Sequence, residues 1–150
     1  IYTGTTSSAA SDVYKRQPIQ TDYVVEATLE PFDAPKTITV ATPLEGYTES
    51  YECPGILKFK IKGKELNLHP FASGNGYFLV IADETSAKET YGAGRFMYAS
   101  PDSTGRIILD FNKAYNPPCA FSPFATCPMP PRENFMPAAI EAGEKSVHFD

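Results

Sequence analysis

Asp110 and Asn112 stand two apart, a spacing that places both side chains on one face of an extended strand while Leu109 and Phe111 occupy the other. Tyr115 and Asn116 follow where that strand should end, and Glu89, Tyr91 and Arg95 flank a short glycine-containing turn upstream. Carboxylates, amides and one guanidinium gathered at a sheet edge suit recognition of a small polar or anionic ligand. Arg95 is the natural clamp, because its planar fork holds a carboxylate or phosphate through two parallel hydrogen bonds. The same residues serve a plainer purpose equally well. Proline-rich segments leave carbonyls without ladder partners, and Asn amides and Arg are the donors that satisfy them.

Other chemistries find less support. Glu89 and Asp110 form an acid/base pair only if their environments push the two carboxyl groups apart in pKa. A nucleophilic triad has less support still, since the two histidines are His69, on the polar face of a hairpin strand, and His148, in the C-terminal tail. No Gly-x-Ser-x-Gly occurs, and Gly92-Ala93-Gly94 is neither a Walker loop nor a dinucleotide fingerprint. Nothing calls for a cofactor.

Cys119 and Cys127 both adjoin proline and are separated by seven residues. They allow a disulfide closing a short loop, which contributes about 2–3 kcal/mol. They equally allow two reduced, buried thiols, the usual state in the cytoplasm, which slightly favours that compartment over export. A structural zinc site needs four ligands, so Cys53 and His69 would have to converge on the pair, and no Cys-x-x-Cys spacing supports it. No metal is therefore expected.

The elements that must carry these residues are strands. Tyr23, Val25, Ala27 and Leu29 alternate with Val24, Glu26, Thr28 and Glu30 until Pro31 stops the run. Thr37–Thr42 is rich in β-branched residues. Leu57, Phe59 and Ile61 alternate with Lys58, Lys60 and Lys62, and a Gly63-Lys64 turn leads into Leu66 and Leu68, the clearest hairpin in the chain. The lysine stripe is a solvated face that discourages edge-to-edge pairing. After the Ser73–Gly76 turn, Tyr77–Ala82 is continuously apolar, as a strand buried on both faces should be. Arg95–Ala99 and Arg106–Phe111 complete this block, whereas Asp83–Thr90 is polar throughout and reads as a loop with at most a helical turn.

Pro117–Pro131 holds six of the fourteen prolines and cannot join the centre of a sheet. Phe121, Phe124 and Met129 give it apolar anchors, so it should lie as an ordered strap over the sheet, with Phe135–Ala142 adding a last strand. Nineteen aromatic residues and no tryptophan suit the core of a small β-domain, with Tyr91, Tyr98, Tyr115, Phe121 and Phe124 as pocket candidates. The expected fold is mainly β: a single antiparallel β-sandwich or partly closed barrel with a proline-rich C-terminal strap.

The 150 residues, 42% of them hydrophobic, suffice for one domain with an apolar core. A net charge of −5 argues against nucleic acid as a partner, since duplex binding needs clustered cations. No apolar run approaches the roughly 20 residues of a membrane-spanning helix. Residues 1–17 are Ser/Thr/Ala-rich filler, and Ser7–Gln17 looks like a translated sequencing adapter, as in a metagenomic fragment. On that reading 1–17 is a disordered, non-native leader, and 18–150 is the domain, shortened at its own N-terminus. Its signal peptide, oligomeric state and compartment are then not legible.

Lys88–Arg95 (KETYGAGR), Leu109–Pro118 (LDFNKAYNPP), Cys119–Asn134 (CAFSPFATCPMPPREN) and Ala138–Lys145 (AAIEAGEK) together carry a family likeness. The chain resembles the C-terminal part of the domain of unknown function family 1684, a set of uncharacterised prokaryotic proteins. The resemblance implies little about activity.

The leading expectation is thus a β-domain that binds a small polar or anionic ligand. Its site would be formed by the 88–95 turn, the 106–112 strand and the 115–134 strap, through Glu89, Tyr91, Arg95, Asp110, Asn112 and Asn116. One alternative is a hydrolase or lyase in which Arg95 orients an anion and Glu89 or Asp110 moves protons. Another is a structural or protein-interaction module without a small-molecule site.

Overall fold

The computed structural model describes residues 16–122 and 125–146. Residues 1–15, Phe124 and His148 lie outside them. The described residues are mainly β, with seven strands in two antiparallel sheets: β1 (Val24–Ala41), β2 (Thr48–Ile61), β3 (Lys64–Leu68), β4 (Phe71–Ser73), β5 (Gly76–Ile81), β6 (Arg95–Ala99) and β7 (Ile107–Asp110). One sheet has the order β3-β2-β1-β7 and the other β4-β5-β6, and neither closes into a barrel.

Alternation explains the first sheet. In β2, Leu57, Phe59 and Ile61 are buried while Lys58 and Lys60 face water, and Leu66 and Leu68 of β3 continue the same apolar face. The exposed lysines find modest partners, such as Glu30 at 3.2 Å from Lys58. The hairpin turn sits one residue earlier than the sequence suggests. Ile61 pairs with Lys64, and Lys62 and Gly63 both have positive φ, at 52° and 81°. That is the primed geometry whose twist matches the flanking strands, and glycine at its second position adopts it without strain.

Pro31 does not end the first strand. β1 runs through both Pro31 and Pro35, because its register against β2 shifts between Pro31 and Lys36. The irregularity lifts this stretch out of the regular ladder, where a missing N–H would otherwise cost a bond. Pairing then resumes with Lys36 opposite Cys53 and runs on to Ala41 opposite Thr48.

In β5, Leu79, Val80 and Ile81 are consecutive and all buried, as a strand covered on both faces requires. Leu79 and Ile81 join the main core with Leu57, Leu68, Met97, Leu109 and Phe111, drawn from both sheets. Val80 faces a second cluster with Phe71, Phe96, Val40 and Cys127. Rings there contact one another in series: Tyr51 stacks on Phe71 at 4.5 Å, and Phe78 meets Phe96 edge-on at 4.9 Å. Tyr23, Phe59, Phe71, Phe96 and Phe111 are buried in the core, whereas Tyr47, Tyr98, Phe121 and Phe135 are exposed.

The strap contributes two short 3₁₀ turns, Pro118–Ala120 and Arg132–Asn134, each entered through proline. Its described parts are tied to the sheets by backbone bonds, Tyr115 pairing with Phe96 in both directions and Met129 N–H donating to the Ala41 carbonyl. Phe135–Ala142 does not form a strand. Phe135 makes an isolated parallel bridge with Ala82, Met136 and Ala138 make single backbone bonds to Ala82 and Glu84, and Ile140 is met by the side chains of Asp83 and Arg95. Asp83–Thr90 is a loop, as its composition implies.

Candidate functional site

Arg95 opens β6 beside Ile81, on the face that looks into the main core, and it is 2% exposed. Its guanidinium donates to the carbonyls of Ala142 and Glu144 through one terminal nitrogen and of Ile140 through the other, the last two at 3.2 Å. Asp83 lies 3.6 Å away, equally buried. Burial lowers the guanidinium pKa from its ordinary value, and Asp83 and Glu144 act in the opposite direction. The fork is therefore spent on the carbonyls of Ile140, Ala142 and Glu144, in a segment that forms no strand. Arg95 does not present a solvent-facing clamp for an anion.

Asp83 completes that junction. One carboxylate oxygen accepts from Ile140 N–H at 2.7 Å, and the other from the Thr85 amide and hydroxyl. Gly143 lets the segment lie flat. Its φ is +83°, and a Cβ there would come within 2.8 Å of the Phe111 and Ala114 carbonyls.

Asp110 and Asn112 do share a surface, but their bonds are mutual. Asp110 accepts from the Asn112 amide and side chain, at 3.0 and 2.9 Å, which caps the 3₁₀ turn Phe111–Lys113. The Asn112 side chain also bonds both backbone groups of Gln20 at 2.9 Å, acting as a substitute strand neighbour. A cavity of about 600 Å³ adjoins them, lined also by Pro18 and Ile19. Arg16 and Gln17, the last residues of the proposed leader, are placed here: Arg16 donates to the Asn112 carbonyl at 2.9 Å and Gln17 N–H to Gly143.

Glu89 is exposed on the 83–94 loop, where its backbone N–H donates to the Thr85 carbonyl and its own carbonyl accepts from Ser146 N–H. The Tyr91 hydroxyl donates to the Cys119 carbonyl at 3.4 Å. Among the described residues no hydrogen bond, ion pair or cavity joins Glu89 to Asp110 or Arg95. The six residues therefore do not converge on one concavity.

Asn116 is the exception among them. Only 4% exposed, it donates its amide to Glu144 Oε1 at 2.8 Å and its side-chain Nδ2 to the Lys145 carbonyl at 2.9 Å. Among the described residues its Oδ1 is buried without a partner. Rotating the amide does not help, since it would set oxygen against the Lys145 carbonyl. Asn116 lines a recess of about 350 Å³ with Tyr115, Phe121 and Glu144. Burial, then Tyr98 and Glu144, push the Tyr115 phenol up to about 12, so it stays a hydroxyl.

The Phe121 wall belongs to the loop closed by a disulfide between Cys119 and Cys127, whose Cα atoms are 6.2 Å apart. Cys53 is a separate, buried free thiol. Among the described residues no three of His, Cys, Asp and Glu gather as metal ligands would, and no helix is long and apolar enough to cross a membrane.

Asp83, Asn134 and Glu144 were not singled out by spacing. Asn134 is fully buried and bridges the His69 backbone, through both N–H and carbonyl, to the Val80 carbonyl. Two of the three stand inside the blocks that carry the family likeness, which was the available signal.

Residues 12–145 match the family described as a protein of unknown function, DUF1684. The chain belongs to the DUF1684 family. The matched stretch includes every residue of the Arg95 junction and of the Asn116 recess. No curated protein matches this DUF1684 chain. Among solved structures it is similar to an uncharacterized protein of Haloarcula marismortui determined in solution by NMR, with 33% identity and a TM-score of 0.70. The likeness covers 88% of this chain and 75% of that one.

Proposed function

We propose that this DUF1684 domain binds a small polar ligand in the recess lined by Tyr115, Asn116, Phe121 and Glu144. The buried, unpartnered Asn116 Oδ1 carries this reading. Leaving such an acceptor unsatisfied costs about 1–3 kcal/mol, a cost that a ligand donor would recover. The recess also pairs aromatic walls with a carboxylate, the mixture of apolar surface and few polar groups common in small-molecule sites. Anion recognition through Arg95 has less support, because both of its terminal nitrogens already bond within the chain.

A second reading has its own observation. Arg95, Asn112 and Asn134 are all engaged on backbone groups far away in sequence, as a purely structural or protein-interaction module would have them. A thermal-shift panel of polar metabolites separates the two. A ligand that binds the folded state raises Tm by mass action. One that does so for the wild type and not for Asn116→Ala supports the recess, and silence across the panel favours the structural module.

A further inference from the structure

We infer that the recess selects a cationic N–H donor, an organic ammonium or guanidinium group, an inference that rests on the ligand site proposed above. Apart from the Tyr115 hydroxyl, the polar side-chain atoms left to an incoming molecule are acceptors. Asn116 spends its backbone N–H on Glu144 Oε1 and its Nδ2 on the Lys145 carbonyl, leaving only Oδ1. Glu144 contributes a carboxylate whose side chain is 8% exposed. The other walls are the rings of Tyr115 and Phe121, the latter 41% exposed, and aromatic faces attract cations through their quadrupole. Acceptors, negative charge and π faces together disfavour anions and leave a neutral acceptor only the Tyr115 hydroxyl to bind.

The chain itself supplies a demonstration. The Arg16 guanidinium docks on this carboxylate, 3.3 Å from Glu144 Oε2, while bonding the Asn112 carbonyl at 2.9 Å. A guanidinium is thus already accommodated on the far side of that carboxylate, against the cavity that Arg16 lines with Asn112. Arg16 and an external cation would share the one carboxylate charge, so removing the Arg16 charge should strengthen binding.

The test is a titration of the full chain with methylguanidinium, acetamide and acetate, followed through the NMR amide signals of Asn116 and Glu144. Saturable shifts are expected with methylguanidinium alone. Arg16→Ala should tighten binding several-fold, and Glu144→Gln, which keeps an acceptor for Asn116 N–H, should weaken it about tenfold. If Glu144→Gln does not fold, the Arg16→Ala comparison decides alone. Shifts with acetamide or acetate matching those with methylguanidinium would overturn the cation class and leave the ligand site standing. No shift with any probe, in wild type or Arg16→Ala, would overturn both.

Discussion

Arg95 and Asp83 face each other at 3.6 Å with 2% of either side chain exposed, and both reach past one another to the backbone of the 140–144 segment. The pair is the fastener between the second sheet and the C-terminal segment. A buried ion pair is not stabilising in itself, since desolvation offsets most of its attraction. Removing one partner is another matter. Arg95→Ala strands the Asp83 charge and three carbonyls and should cost about 3–5 kcal/mol in a urea titration. Asp83→Asn keeps an acceptor for Ile140 N–H and should cost less. Equal small losses for both would show that the junction is not a shared unit.

Asn134 makes one side chain serve three backbone groups, on His69 and Val80, across a separation of more than fifty residues. Asn134→Ala should therefore destabilise by about 2–4 kcal/mol, with hydrogen exchange quickening at the His69 amide before elsewhere. A loss under about 0.5 kcal/mol, the usual range for an inert surface site, would contradict this role.

His69 is half-buried, its Nδ1 has no partner, and its pKa is lowered by burial, with Glu133 raising and Lys36 lowering it further. The unfolded chain therefore takes up a proton first as pH falls, which favours unfolding. The stability His69 contributes is complete above its unfolded pKa near 6.5 and is lost as pH drops from there toward the folded value. Chemical denaturation between about pH 7.5 and 5 should show a steeper decline for wild type than for His69→Phe. Parallel curves would remove His69 from the account.

Cys119 and Cys127 tether the strap over the second cluster, beside Phe96 and Val80. Reducing the bond, or Cys119→Ser with Cys127→Ser, should lower stability by about 2–3 kcal/mol by freeing a short loop in the unfolded chain. The measurement is a denaturation curve with and without a dithiol reductant. The Phe121 ring, inside that loop, should gain mobility by NMR relaxation.

Sequence alone determined the strands and their wet and dry faces, because alternation is a local signal: Leu57, Phe59 and Ile61 point inward whatever lies opposite them. It placed Pro31 less well, since a register shift that tolerates proline depends on a partner strand more than twenty residues away. It also marked Arg95, Asp110, Asn112 and Asn116 as residues with work to do. What each bonds was decided only by the tertiary structure. Whether a guanidinium holds a ligand or a carbonyl turns on which segments meet it, and Ile140, Ala142 and Glu144 approach Arg95 from some fifty residues downstream. Hydrogen bonding is set by distances of about 3 Å in space, and a linear pattern of residue types carries no such distances.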